Sequence, residues 1–157
     1  MFERELKLIQ TLSSYRIDIG VISDTSSRDN DNISVGITNA QLMFIHENGS
    51  PTRNIPARPV LQMTIDYANN SGLLVKVLDK IINNILNDNT YNETKIEIEL
   101  KRFCSKLEEY ARDIIYNNDG RLAPNSPNVA KRKKGNHPLF DTGQLARSIV
   151  CRLSKNS

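Results

Sequence analysis

The sequence predicts an α+β fold, with a small, mainly antiparallel sheet packed against two or three longer helices in a single domain over residues 1–157. Two distant runs, 15–21 and 149–154, alternate apolar and polar residues as half-buried strands do. Between them, apolar residues recur every three or four positions, which is the period of an amphipathic helix. The length of 157 residues is that of one domain large enough to bury a core.

The N-terminal part is predicted to contain a helix, a strand, a loop and a second strand. Residues 2–13 carry apolar side chains at spacings of four and three, which favours an amphipathic helix: Phe2, Leu6, Ile9 and Leu12. Alternation predicts strands at 15–21 and again at 33–37, and the polar run 23–31 between them is typical of a loop. Residues 39–45 are ambiguous between helix and strand. We favour a short helix capped by Asn39.

The middle of the chain is predicted to be helical. Residues 60–87 form a helix or two, with a break near 69–72, and Pro59 suits the first helical position because its missing N–H costs nothing there. The second half of this stretch is expected to bury Leu74, Leu78, Ile81 and Ile85. Residues 93–117 give the clearest helix, with an apolar stripe expected to face the core: Ile96, Leu100, Phe103, Leu107, Tyr110 and Ile114.

The C-terminal part is predicted to be a loop, a short helix and a closing strand. Gly120 suits the end of the preceding helix. The polar segment 121–138 contains prolines and exceeds the usual loop length, so we expect it to be flexible and functional, over about 120–138. Asp141 suits the cap of a helix of one or two turns. Alternation then predicts the last strand.

The charge pattern gives no clear sign of a nucleic-acid-binding protein. Its 21 basic and 18 acidic residues give a net charge of +3, whereas such proteins concentrate basic residues on one face. The excess is local, in the run Lys131, Arg132, Lys133 and Lys134. This run is either a solvated loop or a contact with phosphate or an acidic protein surface.

The sequence predicts no enzyme, no cofactor and no metal site. His46 and His137 are its two histidines, and neither belongs to a zinc-binding helix motif; no glycine loop for phosphates and no nucleophile elbow is present. Cys104 and Cys151 lack metal or redox spacing and are expected to be reduced, apolar residues. No apolar stretch reaches the ~20 residues that span a bilayer, and no signal peptide is evident, so we expect no membrane association and synthesis in the cytoplasm.

Two stiff segments, far apart in sequence, are the strongest indication of function. The first runs from His46 through Glu47 and Gly49 to Ile55, Pro56, Arg58 and Pro59. The second runs from Pro138 through Asp141, Thr142, Gly143 and Leu145 to Ile149. Because glycine and proline fix backbone shape, such segments specify geometry and docking more than catalysis.

Taken together, the two segments resemble a signature of tailed-bacteriophage virion-morphogenesis proteins, namely tail-completion or head–tail joining (neck) proteins. The first half is a Glu-x-Gly turn followed by Ile-Pro-Ala-Arg-Pro before a helix, present here at 47–49 and 55–59. The second is Pro-Leu-x-Asp-Thr-Gly-x-Leu-x-x-Ser-Ile, present at 138–149, and the preceding loop is also similar. The resemblance covers about 33–153. It departs after the Arg-Pro, where Val60 and Leu61 replace the usual bulky residue.

The resemblance implies a structural protein of the virion neck. Such proteins form a homo-oligomeric ring, often sixfold, between the head connector on the portal side and the tail terminator or tail tube, with DNA passing near the lumen. The implied assembly residues are Glu47, Gly49, Ile55, Pro56, Arg58, Pro59, Asp141, Thr142, Gly143 and Leu145. Arg58 either bridges to a partner's carboxylate or pairs within the chain with Glu47 or Asp66. Asp141 is either a helix cap or a partner contact.

A second interpretation competes with this one. The chain could be a small nucleic-acid-binding or regulatory module that uses the basic loop Lys131–Lys134. Salt dependence separates the two, because affinity for nucleic acid falls steeply as salt rises.

Overall fold

The computed structural model describes residues 2–22, 37–87, 92–117, 119–133, 136–140 and 143–156. It has the α+β architecture predicted from the sequence, with a two-stranded antiparallel sheet packed against helices. In chain order the elements are α1 (Phe2–Ser14), β1 (Tyr15–Val21), α2 (Asn39–Asn48), a 3₁₀ turn (Pro51–Arg53), α3 (Val60–Asn70), α4 (Leu73–Asn87), α5 (Glu93–Asn117), α6 (Pro127–Arg132), α7 (Gln144–Ser148) and β2 (Ile149–Lys155).

The sheet joins the two ends of the described chain. β1 pairs with β2 in a register that places Ile17 opposite Leu153 and Ile19 opposite Cys151. These four side chains pack against the buried cluster around α5. The alternation that predicted both strands therefore reflects one face turned to the core.

Helix α5 runs through the core. With 25 residues at 1.5 Å each it is about 37 Å long, and its buried stripe contacts two apolar clusters. The first surrounds the N-terminal half of α5 and includes residues of α1, α3 and α4: Leu8, Ala68, Val77, Ile81, Ile85, Ile96, Leu100, Phe103 and Leu107. The second surrounds its C-terminal half: Met43, Val60, Ala111, Ile114, Ile115, Leu122, Leu139, Leu145, Ala146 and Ile149.

Several predicted boundaries are corrected by capping geometry. Asn39 is the first residue of α2 and not its cap, because Thr38 occupies that place: its hydroxyl accepts from the Gln41 backbone N–H at 3.2 Å and Gln41 Oε1 accepts from the Thr38 N–H at 2.9 Å. This reciprocal pair is a capping box. Pro59 is likewise the N-cap of α3 and Val60 its first residue.

Other predictions about the loops are revised or lie outside the described residues. The segment predicted as one loop over 121–138 contains α6, which begins at Pro127, a residue favoured at the first helical position. Of the second predicted strand, residues 33–36 lie outside the described residues, and Ile37 belongs to no strand. The loop prediction for 23–31 also lies outside them.

Two predicted apolar faces differ from those observed. In α4 the buried residue of the second turn is Val77, whereas Leu78 is half-buried. In α1 the core residue is Leu8; of the predicted stripe, Leu12 packs against the same cluster, while Phe2, Leu6 and Ile9 are exposed. The helix prediction is thus confirmed for α1, but the helix is packed through another face. No helix in the described part of the chain is both long and apolar enough to cross a membrane.

Candidate docking groove

The two segments that are far apart in sequence line one open groove of about 340 Å³. We call it the two-segment groove. The first segment contributes His46, Arg53, Asn54, Ile55, Pro56 and Arg58; the second contributes Leu139, Gly143, Gln144 and Leu145; and the rest of the lining is Leu42, Asn125, Ser126, Val129 and Lys133. The sequence predicted two docking segments but not that they meet.

A backbone turn sets the shape of the first segment. Gly49 has φ 73° and ψ 178°, a combination that only glycine adopts readily. A Cβ placed there would lie 2.8 Å from the backbone nitrogen of Ala57, so the close approach of the two strands of this turn also requires glycine. Ser50 and Ile55 then close a miniature hairpin through two backbone hydrogen bonds of 2.8 and 3.0 Å.

Glu47 ties this turn to the next helix. Its carboxylate accepts hydrogen bonds from the backbone N–H groups of Leu61 and Gln62 at 3.0 and 2.7 Å. Both donors lie in the first turn of α3, where N–H groups have no partner within the helix and the helix dipole favours a negative charge. Glu47 therefore has a structural role within the chain.

Arg58 fixes the first segment to the loop before α6. It is 5% exposed, and its guanidinium donates from Nε to the carbonyl of Ala123 at 2.7 Å and from Nη2 to that of Pro124 at 2.8 Å. Its Nη1 lies 3.4 Å from His46 Nδ1. Of the two alternatives for Arg58, the intrachain pair with Glu47 or Asp66 is wrong, because the carbonyl groups of Ala123 and Pro124 hold the guanidinium instead.

The groove is basic. Its described lining includes Arg53, Arg58 and Lys133 and no carboxylate. Burial lowers the pKa of Arg58 from its ordinary value through desolvation, yet an arginine remains charged at neutral pH. The carbonyl partners of Arg58 satisfy its hydrogen bonds without neutralising its charge, so the groove favours an anionic group.

The second segment enters the groove through a glycine in the left-handed region. Gly143 has φ 76° and immediately precedes α7, whose Leu145 and Ala146 are buried in the core. A Cβ at Gly143 would lie 2.9 Å from Arg147 Nη1 and 3.4 Å from Phe140. Asp141 and Thr142 lie outside the described residues, and the cap position directly before α7 is taken by Gly143.

Glu108 and Arg112 of α5 form hydrogen bonds with the backbone of α7 and β2. Arg112 donates from Nη2 to the carbonyl of Ile149 at 2.7 Å and from Nε to that of Ala146 at 3.3 Å, while Glu108 Oε1 accepts from the backbone N–H of Cys151 at 2.7 Å. Neither residue was singled out from the sequence as a site residue. Their spacing of four, at which they pair at 3.2 Å, was the available signal.

The remaining predicted site residues are spread around the groove. Ile55 and Pro59 are half-buried, while Pro56 is exposed on the rim. In the basic run, Lys131 and Arg132 are exposed in the last turn of α6, Lys133 donates from Nζ to the carbonyl of Phe140 at 3.3 Å, and Lys134 lies outside the described residues. The run therefore does not act as one basic patch over its described positions.

The two cysteines meet between α5 and β2, although their sequence spacing gave no sign of it. The hydrogen bond between their thiols lowers the pKa of Cys104 and raises that of Cys151, and burial raises both. Both are free thiols. Within the described residues no group of three or more histidine, cysteine or acidic side chains could hold a metal ion.

Comparison with known proteins adds no relative. No protein-family model, no curated protein and no solved structure matches this chain.

Proposed function

We propose that this chain is a structural protein of the virion neck in a tailed bacteriophage, where it joins the head connector to the tail or completes the tail as the subunit of a ring. The observation that carries the proposal is the convergence of the two signature segments on one groove. Segments separated by about eighty residues have no local reason to share a sequence signature. A shared docking surface would explain why both segments belong to the signature.

The geometry supports a docking role for this surface. Gly49 and Gly143 both have positive φ, and Glu47 and Arg58 both use their charges on backbone groups of the same chain. The glycines permit the turns, and the contacts of Glu47 and Arg58 fix the first segment to its neighbours in the chain. A rigid, preformed site loses less conformational entropy on association, which suits a subunit that must fit neighbours of fixed geometry.

The electrostatics of the groove suit a protein partner. Its lining combines the buried Leu139 and Leu145 with the basic Arg53 and Lys133, a mixture typical of a pocket that receives an apolar anchor with an acidic neighbour. A nucleic-acid site would need several cations free to contact phosphates. In the described part of the basic run, Lys131 and Arg132 are the exposed residues. The nucleic-acid alternative therefore has few cations to support it.

Electron microscopy of particles made with and without the protein tests the proposal. A phage unable to make it should accumulate DNA-filled heads and separate tails, and a supplied copy should restore joined particles. Normal particles in its absence would contradict the proposal. Binding of the purified protein to DNA is the measurement that favours the alternative, if its affinity falls steeply with salt and joined particles form without it.

A further inference from the structure

The N-terminal helix presents an apolar stripe that no other described part of the chain covers. Phe2, Leu6 and Ile9 follow one another at spacings of four and three on α1 and are 87%, 56% and 61% exposed. Leu8 of the same helix is buried in the core cluster at 5% exposure. One face of α1 therefore packs inward, while a second apolar face lies in solvent, as in helices that dock into grooves of a partner.

The stripe is flanked by negative charge. Glu3 and Glu5 lie in the first turn of α1, on either side of the stripe by helix geometry. Arg4 is turned inward, where Nη2 donates to a carbonyl of α4 at 3.1 Å. Lys7 lies two positions before Ile9, which places it on nearly the opposite side of the helix.

The two-segment groove has the complementary character. Its lining includes the apolar Leu42, Leu139 and Leu145 and the basic Arg53 and Lys133, with no carboxylate among the described lining residues. An apolar helix face bordered by acidic residues matches such a groove in both hydrophobicity and charge.

The stripe and the groove lie at opposite ends of the subunit. α1 lies near the N-terminus of α5, because Tyr15, which directly follows α1, donates hydrogen bonds to Glu93 and Glu97 at 3.1 Å. The groove adjoins the cluster that contains Ile114, through Leu145. Glu97 and Arg112, which donates to the carbonyl of Ala146 in α7, are separated by fifteen residues of helix, or about 22 Å. A subunit cannot therefore fill its own groove with its own stripe.

We propose that the groove of one subunit receives the apolar stripe of α1 from a second copy of this chain. Phe2 and Ile9 contact the leucines of the groove and Glu5 lies toward Arg53. The contact is head to tail, because each subunit offers one surface to each of two neighbours, and such a contact closes into a ring when the rotation per subunit allows it. This inference rests on the proposed function in taking a ring as the assembly.

A mixing experiment with two complementary variants tests the contact. The stripe variant carries Phe2→Ser and Ile9→Ser, and the groove variant carries Arg53→Glu and Pro56→Glu. All four positions are exposed, so both variants should fold, which circular dichroism checks. The matched control is Val75→Ser, an apolar residue of α4 that is 58% exposed and lies outside both surfaces.

Sedimentation of each protein alone and of the mixture gives the outcome. The wild type and the control should form the same oligomer. Each variant alone should be monomeric, with association weakened at least about tenfold because a central apolar anchor or its pocket is lost. The mixture should give a one-to-one dimer, since the stripe variant keeps its groove and the groove variant keeps its stripe.

Three results would overturn the inference: a wild type that stays monomeric at every concentration, variants that assemble like the wild type, or a mixture that gives no dimer. The proposed function is judged separately by particle morphology. Joined particles that require the protein, together with a failed mixing experiment, would leave the neck assignment standing and remove this contact. A dimer from the mixture, together with normal particles in the absence of the protein, would support this contact and contradict the neck assignment.

Discussion

Replacing Arg58 with alanine should destabilise the subunit, because this arginine is a buried anchor. Its guanidinium donates to the carbonyls of Ala123 and Pro124 at 2.7 and 2.8 Å. Hydrogen bonds that involve a charged group are worth about 1.5–3 kcal/mol each, so the two together are worth roughly 3–6 kcal/mol. The desolvation that lowers the pKa of Arg58 offsets part of this, and we expect a net loss of about 3 kcal/mol.

Urea unfolding followed by circular dichroism measures this loss. With an m-value of about 2 kcal/mol per molar, the midpoint of Arg58→Ala should fall by about 1.5 M. Arg53→Ala is the matched control, because this arginine of the same groove is exposed, and it should change stability by less than about 0.5 kcal/mol. Arg58→Lys should lie between them, since an ammonium group lacks the planar fork that reaches two carbonyls. Equal midpoints for Arg58→Ala and Arg53→Ala would refute the anchoring role.

Three further predictions concern other parts of the subunit. Gly49→Ala should lower the urea midpoint much more than Gly72→Ala, because both glycines have positive φ but only Gly49 has a backbone atom within 3 Å of the added Cβ; similar losses would contradict the close approach. Glu47→Gln should cost about 1 kcal/mol of unfolding free energy, since α3 loses a charged cap, and an unchanged midpoint would contradict this. The hydrogen bond from Lys80 lowers the pKa of Glu99 below its ordinary value of 4.5. The ionised Glu99 carboxylate therefore stabilises the fold above pH 4.5, and this stabilisation is lost as the pH falls through the lower pKa of the folded state. A carboxyl titration by NMR should give a midpoint below 4.5 that rises in Lys80→Gln, and no rise would refute the pairing.

Most of the helices and both strands could be predicted because their periodicity is a direct result of burial. The predicted stripe of α5 is confirmed at its four aliphatic positions and at Phe103, which are all buried. The sixth residue, Tyr110, is half-buried and stacks on Tyr67, with ring centroids 3.8 Å apart. The face of α1 was wrong for a physical reason. Periodicity reports that an apolar face exists, but it does not report whether the face packs within the subunit.

The groove could be predicted only in its parts. Gly49 and Gly143 were recognisable because glycine and its neighbours carry a local conformational signal. The partners of Arg58 were not, because they are backbone carbonyls some 65 residues away, and a carbonyl group has no sequence signature. The same holds for Arg112, whose hydrogen bonds to the carbonyls of α7 and β2 depend on how the helix packs.

Cryo-electron microscopy of intact particles would test the central claim most directly. The neck should contain this chain as a closed ring between the head connector and the tail, with density for a neighbouring protein in the two-segment groove. A particle in which the chain is absent from the neck would contradict the proposed function. A ring in which that groove faces solvent would contradict its role as the docking site.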